Sequence, residues 1–203
     1  MLTRKLPHYV LSLIAFVALS IISSLCYAEG ITQEEYDVYL AVLSNDLNRG
    51  ESVVIDNRTD VGVDLRSSKD FIEKETGVKI DNEVINDFEA LNKQQYNLEK
   101  DKFGNEFNVY LMSPEEKKET LSKDWQLIRK KFNSHGIHTF SRVAFNNGKT
   151  LAILCHHWWL DPDGGGTDYL LFKKENNRWV VFKEGTKETS APKKENTNKK
   201  QKR

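Results

Sequence analysis

The chain has 203 residues, 30 basic and 30 acidic side chains, a formal net charge of zero and two cysteines. That balance excludes a protein carried onto nucleic acid by a uniformly positive surface. Two cysteines exclude a small domain held together by a disulfide framework.

The neutrality is a sum of unlike parts. Residues 1–28 read as an export signal: Arg4 and Lys5 precede an almost wholly apolar run from Val10 to Leu25, and Cys26-Tyr27-Ala28 supplies small residues at the cleavage positions. Cleavage after Ala28 removes Cys26 and leaves Cys155 as a lone thiol, so stability has to come from packing. The expected location is periplasmic or secreted, with an uncleaved membrane anchor as the alternative. From Lys187 onward seven basic residues face two glutamates with no apolar periodicity, so residues 187–203 read as a disordered basic tail. The body, residues 29–186, then holds 21 basic against 28 acidic residues, a net of −7. It is long enough for a single globular domain with one core. The tail suits contact with anionic surfaces, and the chain carries no specific nucleic-acid motif.

Within the body, Thr32 and Glu35 have the spacing of a capping box, followed by Tyr36, Tyr39, Leu40, Leu43 and Leu47 along one helical face. A short helix is expected over 68–76, stopped by Gly77. Another begins at Asp81, with Val84, Ile85, Phe88 and Leu91 turned inward. The next takes Ser113 as N-cap, Pro114 as first residue and Glu116 to close a capping box, with a stripe of Leu121, Trp125, Ile128 and Phe132. SVVID (52–56) and FNVYLM (107–112) are β-rich runs. The last third reads as four strands, HTFSRVAF, LAILCHHWW, DYLLFKK and RWVVFK. Turns at Asn147-Gly148, at a glycine loop and at Asn176-Asn177 join them, using residues that tolerate positive φ. The expected class is α+β, with N-terminal helices packed on an antiparallel sheet that ends in a four-stranded C-terminal meander.

Residues 154–168, LCHHWWLDPDGGGTD, hold the densest chemistry. Strand alternation puts Cys155, His157 and Trp159 on one face and His156 and Trp158 on the other, so the adjacent histidines are poor joint ligands. Cys155 and His157 share a face and offer two zinc ligands; Asp161, Asp163 or the His135 and His138 pair are the available sources of more. The Asp161 to Asp168 run lacks the acids of a calcium loop and has Phe172 where the closing glutamate belongs. Pro162 and the glycines fit a plain turn. Ser134, Ser141 and Cys155 are the available nucleophile types, and none sits in a nucleophile elbow. Cys155, inside LAILC, is expected to be buried and inert.

In Ser141, Arg142, Val143, Phe145 and Asn146, then Gly166, Tyr169, Leu171, Trp179 and Val181, the C-terminal third resembles an uncharacterised family of small exported bacterial proteins. Those proteins share a closing Ser-Arg-Val-x-Phe-Asn … Tyr-x-Leu … Trp-x-Val meander. The likeness covers about 45 residues and implies a bacterial, exported α+β protein, with no activity and no catalytic residues to carry over.

Two functions remain in view. The first is a non-enzymatic binding protein of the bacterial envelope, recognising another envelope or extracellular macromolecule through Trp158, Trp159, Asp161, Asp163 and Asp168, with no cofactor. The second is a secreted metal-dependent hydrolase, with zinc on Cys155, His157, Asp161 and Asp163. A small-ligand carrier with a pocket between sheet and helices is a third class.

Overall fold

The computed structural model describes residues 30–48, 51–105, 107–123, 126–161 and 164–190. The chain divides into two units at Thr32–Gln33, and the fold below is that of the described residues of the second. The expected signal, residues 1–28, lies outside the described residues, as do Trp125 and Asp163.

The elements are α1 (Gln33–Asn48), β1 (Val53–Asp56), α2 (Leu65–Thr76), α3 (Asn82–Leu91), a 3-10 turn (Lys100–Phe103), β2 (Val109–Met112), α4 (Pro114–Lys123), α5 (Gln126–Phe132), β3 (Ile137–Phe140), β4 (Ala144–Phe145), β5 (Leu151–Asp161), β6 (Gly164–Glu175) and β7 (Arg178–Ser190). The class is α+β, but the sheet is mixed and not antiparallel throughout. Its order is β2-β1-β3-β5-β6-β7, with β4 also on β5. β1 runs parallel to both β2 and β3, and every pairing from β3 to β7 is antiparallel. Parallel neighbours need a long crossover, and the chain provides one: α2 and α3 separate β1 from β2, and α4 and α5 separate β2 from β3.

Local chemistry sets the helix ends. The Asp64 carboxylate accepts from the Ser67 amide at 2.9 Å to open α2, and Gly77, at φ 70°, closes it. The Ser113–Glu116 capping box forms in both directions, each amide donating to the other residue's side chain at 3.2 Å. Of the helix expected behind it, α4 and α5 are the described parts, with residues 124 and 125 between them outside the described residues; Ile128 is buried, whereas Leu121 is 45% exposed and off the inner stripe. β7 continues to Ser190, so residues 187–190, read from the sequence as the start of the tail, pair with Gly164–Thr167.

Helices contact both faces of the sheet. On one face Leu65, Ile72, Val84, Ile85 and Phe88 of α2 and α3 close over Ala144, Ile153, Cys155, Tyr169 and Leu171. Ile128 of α5 joins Val54, Met112 and Ile137 beside them. On the other face Tyr39 of α1 stacks on Phe140 with ring centroids 4.8 Å apart.

The first expected meander strand is broken. Phe140 pairs with His156 and Ala144 with Ile153, so three residues, 141–143, oppose two on β5. This is a β-bulge, and it moves Ala144 to the face opposite Phe140. The bulge is fixed by side chains. Ser141 Oγ accepts from the Cys155 amide at 3.0 Å and donates to the Arg142 carbonyl at 2.9 Å. The Glu35 carboxylate of α1 accepts from Arg142 Nε at 2.6 Å and Nη2 at 2.9 Å, with the side chains 2% and 3% exposed. Asn92, at the end of α3, accepts from the Arg142 amide at 2.7 Å. Removing one member of a buried pair strands the other charge, which costs about 3–5 kcal/mol. Glu35→Ala and Arg142→Ala are each expected to lose stability on that scale, and the double variant less than the sum; urea unfolding of the four proteins checks it.

Candidate functional site

β5 delivers its two histidines to opposite faces, as alternation requires, and each meets an acid from a different element. On the α1 face His156 Nε2 lies 2.9 Å from His138 Nδ1 of β3, the two rings nearly parallel at 7°. The same His156 presents Nδ1 to Asp168 of β6, 3.5 Å from Oδ2. Burial, with the neighbouring His156 adding to it, pushes the His138 imidazole down to about 3. One proton lies between His138 Nδ1 and His156 Nε2, its donor set by the tautomer, and His156 Nδ1 faces Asp168. Burial by itself raises Asp168, but hydrogen bonds from His156, Thr186 and Trp158 outweigh it and hold the carboxyl below its usual range.

On the opposite face His157 Nε2 lies 2.8 Å from Asp60 Oδ2, in the loop after β1, and Nδ1 lies 2.7 Å from Thr167 Oγ1. Cys155 Sγ is 3.7 Å from the same Nε2. With Asp60 and Thr167 holding the ring, His157 staples that loop to the hairpin. Cys155 is fully buried, and burial, with Asp60 and Asp168 nearby, pushes its thiol far above the usual range, so it stays protonated. Ser141, another nucleophile type, is fully buried in the bulge with its hydroxyl both donating and accepting.

The structure therefore joins Cys155 and His157 as expected, but brings Asp60 to them. The zinc reading needs Asp161 and Asp163; Asp161 ends β5, and its side chain, like all of Asp163, lies outside the described residues. Among the described residues no group of three or more His, Cys, Asp or Glu side chains is arranged to hold a metal ion. Of the histidine pair also suggested, His135 pairs with Glu51 at 3.0 Å and His138 stacks on His156.

The glycines were expected as a turn, yet Gly164, Gly165 and Gly166 open β6. Trp158 pairs with Gly166 and Trp159 with Gly165 across the strands. A Cβ on Gly166 would sit 2.5 Å from Trp158 Cζ2, and one on Gly165 2.9 Å from Trp159 Cε3. The glycines are thus a bed on which two indoles lie, one on each face. Trp159 remains 39% exposed and Leu160 45%.

Two cavities flank the histidine chain. One, of about 320 Å³, is lined by Glu51, Ser52, Ser134, His135, His138 and Leu160. The other, of about 520 Å³, lies between α1 and β5–β7 and is lined by His156 and Asp168 among others. Of the site residues named from sequence, Trp158 and Asp168 meet by a hydrogen bond, with His156 alongside. Asp60 and Thr167 were missed; neither lies in a recognisable motif, and only the β1–β3–β5 pairing brings Asp60 near. Comparison with protein-family models, with curated proteins and with solved structures finds no match to this chain.

Gly166→Ala is expected to displace the Trp158 ring, lose about 1–3 kcal/mol and red-shift the indole emission. Gly148→Ala, whose Cβ meets nothing closer than 3.8 Å, serves as the control in the same unfolding and fluorescence measurements. Because folding holds His138 neutral, its contribution is complete above about pH 6.5 and is lost as pH falls toward 3, at up to about 1.4 kcal/mol per unit. Urea unfolding at pH 7 and pH 5 should show wild type losing more stability than His138→Gln, a window in which Asp168 stays ionised.

Proposed function

We propose that the chain is an exported protein of the bacterial envelope that binds another macromolecule through the far end of the β5–β6 hairpin. The observation that carries this reading is the exposure of Trp159 and Leu160, successive large apolar residues on a strand end whose backbone is fixed by indole–glycine packing. Exposed aromatics on a rigid support are the residues from which interfaces draw most of their energy, because little ordering is left to be done on binding. Ser190, the last described residue of β7, pairs with Gly164 at this same end, and the sequence that follows it is basic. A partner offering an apolar pocket next to acidic groups would match both features. The export half of the reading rests on the apolar leader after Arg4 and Lys5.

The test is retention of envelope components by the tagged mature chain, residues 29–203, recovered from the periplasm of cells expressing the full sequence. Wild type and Leu121→Asp, a change at an exposed position elsewhere, are expected to retain the same component. Trp159→Ala/Leu160→Asp should reduce retention about tenfold or more. Equal retention by all three, or none by any, overturns the reading.

A further inference from the structure

The larger cavity is a different surface from the hairpin end, and its chemistry is specific. Its walls are mixed, with Ala41 and Val42 of α1 and Leu170 and Val181 of β6 and β7 as the apolar part and Ser44 and His156 among the polar. Its acidic lining residues are Asp168 and Glu184, and His156 faces Asp168 at 3.5 Å. Lys174 lies over the Trp179 ring, which also lines the cavity, but its ammonium is engaged by Glu34 at 2.7 Å. The Asp168 carboxylate is oriented from behind by Trp158, Thr186 and His156. It is thus an ionised group with a fixed direction in a partly buried wall that also carries apolar side chains. A volume of about 520 Å³ is within the ordinary range for small-molecule sites.

We infer that the cavity between α1 and β5–β7 is a binding site for a small amphiphilic cation, a protonated amine on an apolar body. Asp168 and Glu184 receive the ammonium, while Ala41, Val42, Leu170 and Val181 take the body. An anion of the same shape meets two carboxylates, and a neutral analogue gains only the apolar contact. An ion pair formed against a partly desolvated wall is stronger than one formed on an open surface.

Three probes with one apolar body separate these cases: 4-phenylbutylamine, 4-phenylbutanol and 4-phenylbutyrate, titrated into ¹⁵N-labelled mature protein and followed by amide shifts. The expected order of affinity is amine, then alcohol, then carboxylate, with the shifts confined to residues of α1 and β5–β7. Glu184→Gln and Asp168→Asn are each expected to weaken the amine about tenfold and leave the alcohol within about twofold. Glu184 is exposed, so its variant keeps the test open if Asp168→Asn fails to fold. Equal affinity for the three probes, no saturable amine binding below about 10 mM, or an amine insensitive to Glu184→Gln overturns the inference.

Discussion

Glu35 and Arg142 meet almost out of reach of water at the point where the central sheet changes register. Two desolvated charges are tolerated only when geometry recovers what hydration supplied. Here two parallel N–H···O bonds join the side chains, the Val143 amide adds a third donor at 3.3 Å, and the Tyr96 ring lies 4.4 Å from the guanidinium carbon. Much of the architecture follows from this contact. It ties α1 to the sheet beside the Tyr39–Phe140 stack. It holds the extra residue in 141–143, and that residue turns Ala144 toward α2 and α3 while Phe140 stays under α1. The Ser141-Arg142-Val143 run thus has a structural role at each position: a hydroxyl that replaces a strand acceptor, an arginine that anchors a helix, and an amide that completes the carboxylate's shell.

With α1 on one face and α2 and α3 on the other, β5 becomes a partition with different chemistry on its two sides. His156 enters a stacked imidazole pair backed by an acid from β6, whereas His157 enters a bridge between the β1 loop and Thr167. Neighbours in sequence thereby have no common partner. The burial that protects the core also protonates Cys155 and neutralises His138, so the groups most suggestive of reactivity are held in their uncharged forms. The strand end at Trp159 and Leu160, by contrast, stays open to solvent.

The glycine run shows how composition can mislead about place. Three consecutive glycines after Asp-Pro-Asp have the signature of a turn, since glycine loses the most freedom in regular structure. All three are strand residues, and at Gly165 and Gly166 the tryptophan opposite occupies the volume a side chain would need. Pairing register decides this, and no window of sequence contains it.

The sequence by itself determined what depends on neighbours along the chain. Alternation separated His156 from His157 and put Cys155 with His157; the cap at Ser113, the stop at Gly77 and the left-handed asparagines 176 and 177 are local hydrogen-bond and φ requirements. Apolar period and turn residues likewise gave the class of fold and the C-terminal hairpins. Only the tertiary structure decided the parallel edge of the sheet, the bulge, the partners of Glu35, Asp60 and Asp168, and the cavity under α1. The reason is physical: Glu35 and Arg142 stand 107 positions apart, and Asp60 and His157 are likewise brought together by pairing and not by proximity in the chain. An acid's partner in such a fold is set by which surfaces close over it, and one carboxylate among the 30 acidic side chains carries no local mark of that choice.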